Sequence, residues 1–296
     1  MNTTNPVTQS TITQGLARLG IQPTTHLMVH ASLSRFGLVT GGAHTVVAAL
    51  RQAAGPNGAV IIPSFRDAIR SENYALQQCA HACPQSLCPS NEPGCTGIIG
   101  ETVRQQPDSI RSCPPTPSWV GVGAAASHLL DGHHQSQTPC GHDSPFIRLM
   151  QHDGQILLLG VGINTITNFH VIEDALNVPY LSAIDPPRRH ATYTTSSRRI
   201  QYTYPHLLHE TLAAARLIQC TTIGAATCHA INARAFGSFL YIVAADDPWC
   251  FALRPSRDTY NPERDAQQKT QRMSHAWAAN PDPAAWQKLI DASAAP

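Results

Sequence analysis

The chain has 296 residues, 42% hydrophobic and only 13% charged, with a formal net charge of +1. That is core enough for one large α/β domain, and scattered Lys and Arg leave no basic stripe for nucleic acid or a lipid surface. Residues 1–20 carry no basic stretch followed by an apolar run, which excludes a signal peptide or membrane span there and predicts a cytoplasmic protein with reduced thiols.

Residues 8–19 have helical spacing, and Leu27–His30 is a short apolar run ending in small polar residues, the mark of a buried strand entering a loop. The loop runs from Ala31 to Gly42. Ala43–Ala54 then reads as a helix that stops at Gly55-Pro56-Asn57-Gly58, and Ala59–Ile62 as a second buried strand, so the unit is a parallel βαβ crossover. Residues at about 66–96 form an irregular insertion rich in Cys, Pro, Gln and Ser, long enough to wall or lid a site. Gly97–Gln105 is predicted helical, Arg111–Ser118 extended because of its prolines, and Trp119–Val122 a strand. Ile156–Leu159 is the clearest core strand, followed by Gly160-Val161-Gly162 and a helix over about 167–176. Beyond it we expect a strand at Arg199–Tyr204, a helix at 206–217, strands at Thr221–His229 and Ser238–Ala244, and a peripheral helical tail from about 263.

The strongest constellation for chemistry is Thr167-Asn168-Phe169-His170-Val171-Ile172-Glu173, just past a buried strand and a glycine turn. Residues three apart share a helix face, so His170 and Glu173 can point together into the cleft beyond the strand end. A histidine oriented by a carboxylate is a common means of deprotonating a nucleophile; an exposed pair without consequence has the same spacing. The loop from His30 to Gly42 offers hydroxyls, glycines and a following helix N-terminus suited to phosphate, although neither a P-loop nor a dinucleotide fingerprint is present. Cys79, Cys83, Cys88 and Cys95 could together hold a structural zinc, but paired CxxC knuckles are missing and no metal is expected.

Taken in order, Val29–Ser34 with Gly37, Val39 and Gly41–Ala43, then Val60–Phe65, Gly97–Glu101, Arg111-Ser112 with Ser118, Gly141–Pro145, and Leu158–Gly162 leading into Thr167, His170 and Glu173, resemble the aminoglycoside 3-N-acetyltransferase family, antibiotic N-acetyltransferases distinct from the GNAT fold. The resemblance spans roughly residues 14–180, with a weaker echo over 222–239. It implies a central mixed, largely parallel sheet with helices on both faces, in one acyltransferase domain over 1–296. It also implies His170 as general base, Glu173 as its orienting partner, and acetyl-CoA as donor. The donor would bind without metal at His30, Ser32, Ser34, Gly37, Val39, Arg111 and Ser112. Phe65, Glu101 and Asp174 are the expected acceptor contacts, and the acceptor is a small-molecule amine of an aminoglycoside or related aminocyclitol.

Two departures bear on that implication. The family's His-Pro after Arg-Ser-x is here Pro114-Pro115, and the cysteine-bearing insertion lies where an acceptor wall belongs. Two alternatives therefore stand beside it: an N-acyltransferase of specialised metabolism with another amine acceptor, or a non-catalytic, zinc-stapled binding protein.

Overall fold

The computed structural model describes residues 5–65, 93–112, 118–136, 140–176, 188–190, 193–195, 205–251 and 262–294. Seven strands form one sheet: β1 (His26–Ala31), β2 (Ala59–Pro63), β3 (Ile110–Arg111), β4 (Trp119–Val122), β5 (Gln155–Leu159), β8 (Ile218–Ile223) and β9 (Ala226–Asn232), in the order β3-β4-β2-β1-β5-β9-β8. A separate antiparallel pair joins β6 (Arg188–His190) to β7 (Tyr193–Thr195). β1 pairs in parallel with β2 and β5, while the ladders outside this central trio are antiparallel. The sheet is mixed, as expected, but its parallel share is smaller than the sequence suggested. Two-residue hairpin turns suffice for antiparallel neighbours, and one at Gly224, with φ +59°, divides the expected single strand 221–229 into β8 and β9.

Both faces of the sheet are covered, which is why β5 reads as an unbroken apolar run instead of an alternating one. Leu157 and Leu159 face one cluster, Ile156 and Leu158 the other, and all four are fully buried. Burying one such side chain is worth about 1.5–3 kcal/mol. The first face holds α1 (Gln9–Arg18), α2 (Gly42–Ala54) and α3 (Ile98–Arg104), through Leu16, Leu50 and Val103 among others. The second holds α4 (Ala126–Leu130), α5 (Pro145–Gln151), α6 (His170–Leu176), α7 (Pro205–Ala214), α8 (Ala233–Asp246), α9 (Pro262–Ala279) and α10 (Ala285–Ser293).

Local chemistry sets several helix starts. Thr8 and Thr11 exchange hydrogen bonds in a capping box ahead of α1, Ser144 precedes Pro145 at α5, and the Asn232 side chain accepts from the Ala235 N–H at α8. The last of these corrects a sequence expectation: Ser238–Ala244 belongs to α8, not to a strand. An apolar run buried on most sides has no periodicity that separates the two, and length decides. The expected strand at Arg199–Tyr204 and the insertion between residues 66 and 92 lie outside the described residues. Among the described residues no helix is long and apolar enough to cross a membrane.

Candidate active site

The parallel trio brings the C-terminal ends of β1, β2 and β5 to one edge of the sheet, where open α/β sheets place their ligands. From that edge rise the loop after Ala31, residues Ser64 and Phe65, and the segment from Gly160 to His170. The antiparallel partner β4 begins at the same edge, because Trp119 pairs with Pro63. One edge thus gathers most residues that the sequence singled out.

Ser32, Ser34, Gly37 and Val39 line one groove of about 800 Å³ with the start of α2 at Gly42, and residues 95–99 form its opposite wall. The hydroxyls of Ser32 and Ser34 stand 3.2 Å apart. None of the described lining side chains is charged. Leu38 and Ile98, 70% and 55% exposed, are the exposed large hydrophobics among the described residues, and both stand on this groove. Gly37 takes φ +82°, a turn open to glycine but not to most residues.

His170 opens α6 after two single 3-10 turns, Ile163–Thr165 and Thr167–Phe169. The first turn is held by the Thr165 hydroxyl and N–H, which both donate to the Gly162 carbonyl at 2.8 and 3.0 Å. Phe169 anchors the segment, with ring centroids 5.2 Å from both Phe236 and Phe251. The imidazole that follows it is half-buried. Glu173 comes three residues later on α6, and Asp174 one after that; their side chains lie outside the described residues.

Arg111 and Ser112 are buried and turn inward. The Arg111 Nη2 and the Ser118 hydroxyl both donate to the Ser64 carbonyl, and Ser112 Oγ accepts from the Trp119 N–H at 2.9 Å. Here the pair ties the end of β2 to β3 and β4. Phe65, partly buried, stacks edge-on with Trp119 at 6.2 Å. Glu101 is bound by Arg104, which donates from Nε to Oε2 at 2.8 Å, and by Gln105 at 2.8 Å. The guanidinium holds the Glu101 carboxyl below the usual carboxylate range in spite of partial burial.

His30 does not join the groove. It pairs in register with Leu158 on the opposite face, is 6% exposed, and meets the Trp119 ring edge-on at 5.7 Å. Burial lowers its pKa to about 4. Sequence reading missed His209 and His229, whose rings meet at 4.9 Å on the same face, and Ser64 as the point where three segments join. Nothing short of strand register reveals them. Cys95 is an exposed free thiol on the groove, Cys79, Cys83 and Cys88 lie outside the described residues, and among those described no three His, Cys, Asp or Glu side chains are placed to hold a metal ion.

Comparison with known proteins adds a family and a fold. The model of the family described as Aminoglycoside 3-N-acetyltransferase matches residues 28–241. An aminoglycoside N(3)-acetyltransferase III from Salmonella sp is 35% identical over 178 residues, 58% of this chain and 62% of that protein. The chain thus spans less than two thirds of that relative's length. Among solved structures, the apoenzyme of aminoglycoside acetyltransferase AAC(3)-IVa superposes with a TM-score of 0.65 at 22% identity, over 91% of this chain and all of that one. The enzyme AAC-IIIb, solved with CoASH, superposes with a TM-score of 0.64 at 22% identity, over 86% of this chain and all of that one.

Proposed function

The chain belongs to the aminoglycoside 3-N-acetyltransferase family, and from that premise we propose that it transfers the acetyl group of acetyl-CoA to an amine of an aminoglycoside or related aminocyclitol. The observation that carries the reading is the shared edge: the groove after β1 and the His170 segment after β5 leave neighbouring parallel strands side by side. A donor lying in the groove therefore has its reactive end within reach of the histidine segment.

The groove suits the pantetheine arm of CoA. Its walls are apolar or hydroxylated, its rim is lined by Leu38 and Ile98, and the start of α2 offers backbone N–H groups to phosphate. Ser32, Ser34, Gly37 and Val39 are the proposed donor contacts. Arg111 and Ser112 would act behind them, fixing Ser64 and with it the end of β2.

His170 is the proposed base. It takes the proton from the acceptor amine as the nitrogen bonds to the acyl carbon, and returns it to the sulfur when the carbon–sulfur bond breaks. Glu173 is assigned the orienting role, and Phe65, Glu101 and Asp174 the acceptor side. A thioester is already activated, so positioning and proton removal suffice, and the reaction needs neither a metal nor a covalent enzyme intermediate. Glu101 is the weakest of these assignments, because Arg104 already takes up its charge.

The test is release of free thiol from acetyl-CoA by purified protein given a 2-deoxystreptamine antibiotic, with CoA raising the unfolding temperature. Thiol release near background with every such antibiotic, in protein that still binds CoA, would reject an aminoglycoside acceptor. Full turnover by His170→Ala would reject the base.

A further inference from the structure

Acyl transfer from a thioester builds negative charge twice. The carbonyl oxygen takes up the π electrons as the amine nitrogen bonds to the acyl carbon, and the sulfur keeps the bonding pair when the carbon–sulfur bond breaks. His170 handles the proton and leaves both charges unanswered. Donors or cations fixed where such charge develops are usually the largest single contribution to rate.

The backbone donors at the strand exits are already engaged. The first N–H beyond β1, β2 and β5 belongs to Ser32, Ser64 and Gly160, and these donate to the carbonyls of Leu159, Ser118 and Thr227 at 2.9, 2.9 and 3.0 Å. Arg111 is engaged too, since it is buried and donates to the Ser64 carbonyl. Arg35 is not. It sits on the 3-10 turn Leu33–Phe36 that follows β1, it is exposed, and among the described residues no carboxylate or carbonyl takes up its guanidinium.

The stem of Arg35 sets where that charge stands. A Cβ on Gly160 would fall 2.5 Å from the Arg35 Cβ and 3.3 Å from its Cγ, so the stem lies along the backbone where the chain leaves β5 for His170. The preceding residues of the turn, Leu33 and Ser34, face the groove instead. Arg35 thus occupies the seam between the donor groove and the His170 segment, the place for a thioester held by one and attacked beside the other.

We infer that Arg35 is a further catalytic residue, whose guanidinium donates to the acyl oxygen as its charge develops and then steadies the departing CoA thiolate. The inference rests on the acyl-transfer reading for the bonds made and broken. A guanidinium suits the task, because it stays charged at any working pH and presents its N–H donors in a fixed planar fork.

The experiment compares wild type with Arg35→Gln, which keeps the methylenes that lie on Gly160, in two measurements. In thiol release with a saturating 2-deoxystreptamine antibiotic, kcat should fall about 10²- to 10³-fold, with the KM for acetyl-CoA little changed. Added guanidinium ion should restore part of the rate to Arg35→Ala, where sodium at equal ionic strength does not. In ultraviolet titration of bound CoA, the thiol should be about tenfold more acidic on wild type than free in solution, one pKa unit, and unshifted on Arg35→Gln. A bound thiol no more acidic than free CoA, or a loss confined to the KM for acetyl-CoA, as a phosphate contact would give, overturns the assignment. The two readings fail separately. An acidified thiol on wild type without turnover of any amine keeps Arg35 at the sulfur and dismisses the transfer, and an unimpaired rate in Arg35→Gln keeps the transfer and dismisses Arg35.

Discussion

His30 carries a measurable burden of burial: its pKa of about 4 lies well below the ordinary 6.5. Between those values the unfolded chain binds a proton that the folded chain refuses, so stability is complete above pH 6.5 and is lost as pH falls toward 4. The shift corresponds to about 3 kcal/mol, and His26, His152 and His229, lowered by burial first and by neighbouring charges second, act in the same direction. Urea unfolding should show a falling midpoint from pH 7 to pH 4.5, with a shallower fall in His30→Gln; a flat profile in wild type would contradict the buried imidazole. At His170 the expected effect is kinetic. His170→Ala should lower kcat by about 10²- to 10⁴-fold, with the unfolding midpoint nearly unchanged, because the half-buried ring fills little of the core. His170 was legible because it follows a glycine turn after an apolar run. His229 was not: a one-residue slip in pairing sends a strand's side chains to the other face, and sequence does not show register.

The meeting of two loops decides whether the proposed donor groove and the proposed base share one place. Gly160, at φ +69°, is where the chain leaves β5, and a Cβ there would fall 2.5 Å from the Arg35 Cβ and 3.3 Å from the Ser32 carbonyl oxygen. Gly160→Ala should therefore displace the Ser32–Phe36 turn. We expect the KM for acetyl-CoA to rise about tenfold, equivalent to roughly 1.4 kcal/mol, while the KM for the amine stays put. A change confined to the amine KM would mean that the groove is not the donor site. The helix caps belong to the same scale, and Asn232→Ala should cost about 1 kcal/mol in chemical denaturation by uncapping α8. Most of these elements could be read from the chain, since β1, α2, β2 and β5 are bounded by glycine, proline or small polar residues. The seven-residue stretch inside α8 could not, because burial on most sides removes the polar face that marks a helix.

Across the whole molecule, the helix α10 braces the helix that begins with the proposed base, His170. Leu289 of α10 is fully buried in the cluster that holds Val171 and Ile172 of α6, and Trp286 lies under the Arg234 guanidinium at 4.6 Å. These residues fall beyond the stretch matched by the family model, yet they pack against the helix that starts with His170. Leu289→Ala should cost about 2–5 kcal/mol by leaving a cavity, and activity should decline at a lower temperature than in wild type. Unchanged thermal inactivation would show that α10 is dispensable to the site.

The order of the sheet also bears on how the polypeptide matures during translation. β1 is made early, and β2 soon covers one of its flanks, but its other neighbour is β5, whose residues pair with it 128 positions later, Leu27 with Gln155 and Ala31 with Leu159. Until that segment emerges from the ribosome, the open flank of an apolar strand stays available to any passing chain, the usual beginning of aggregation. Yield from rapid overproduction should therefore depend on chaperone supply more steeply than the stability of the finished protein would suggest.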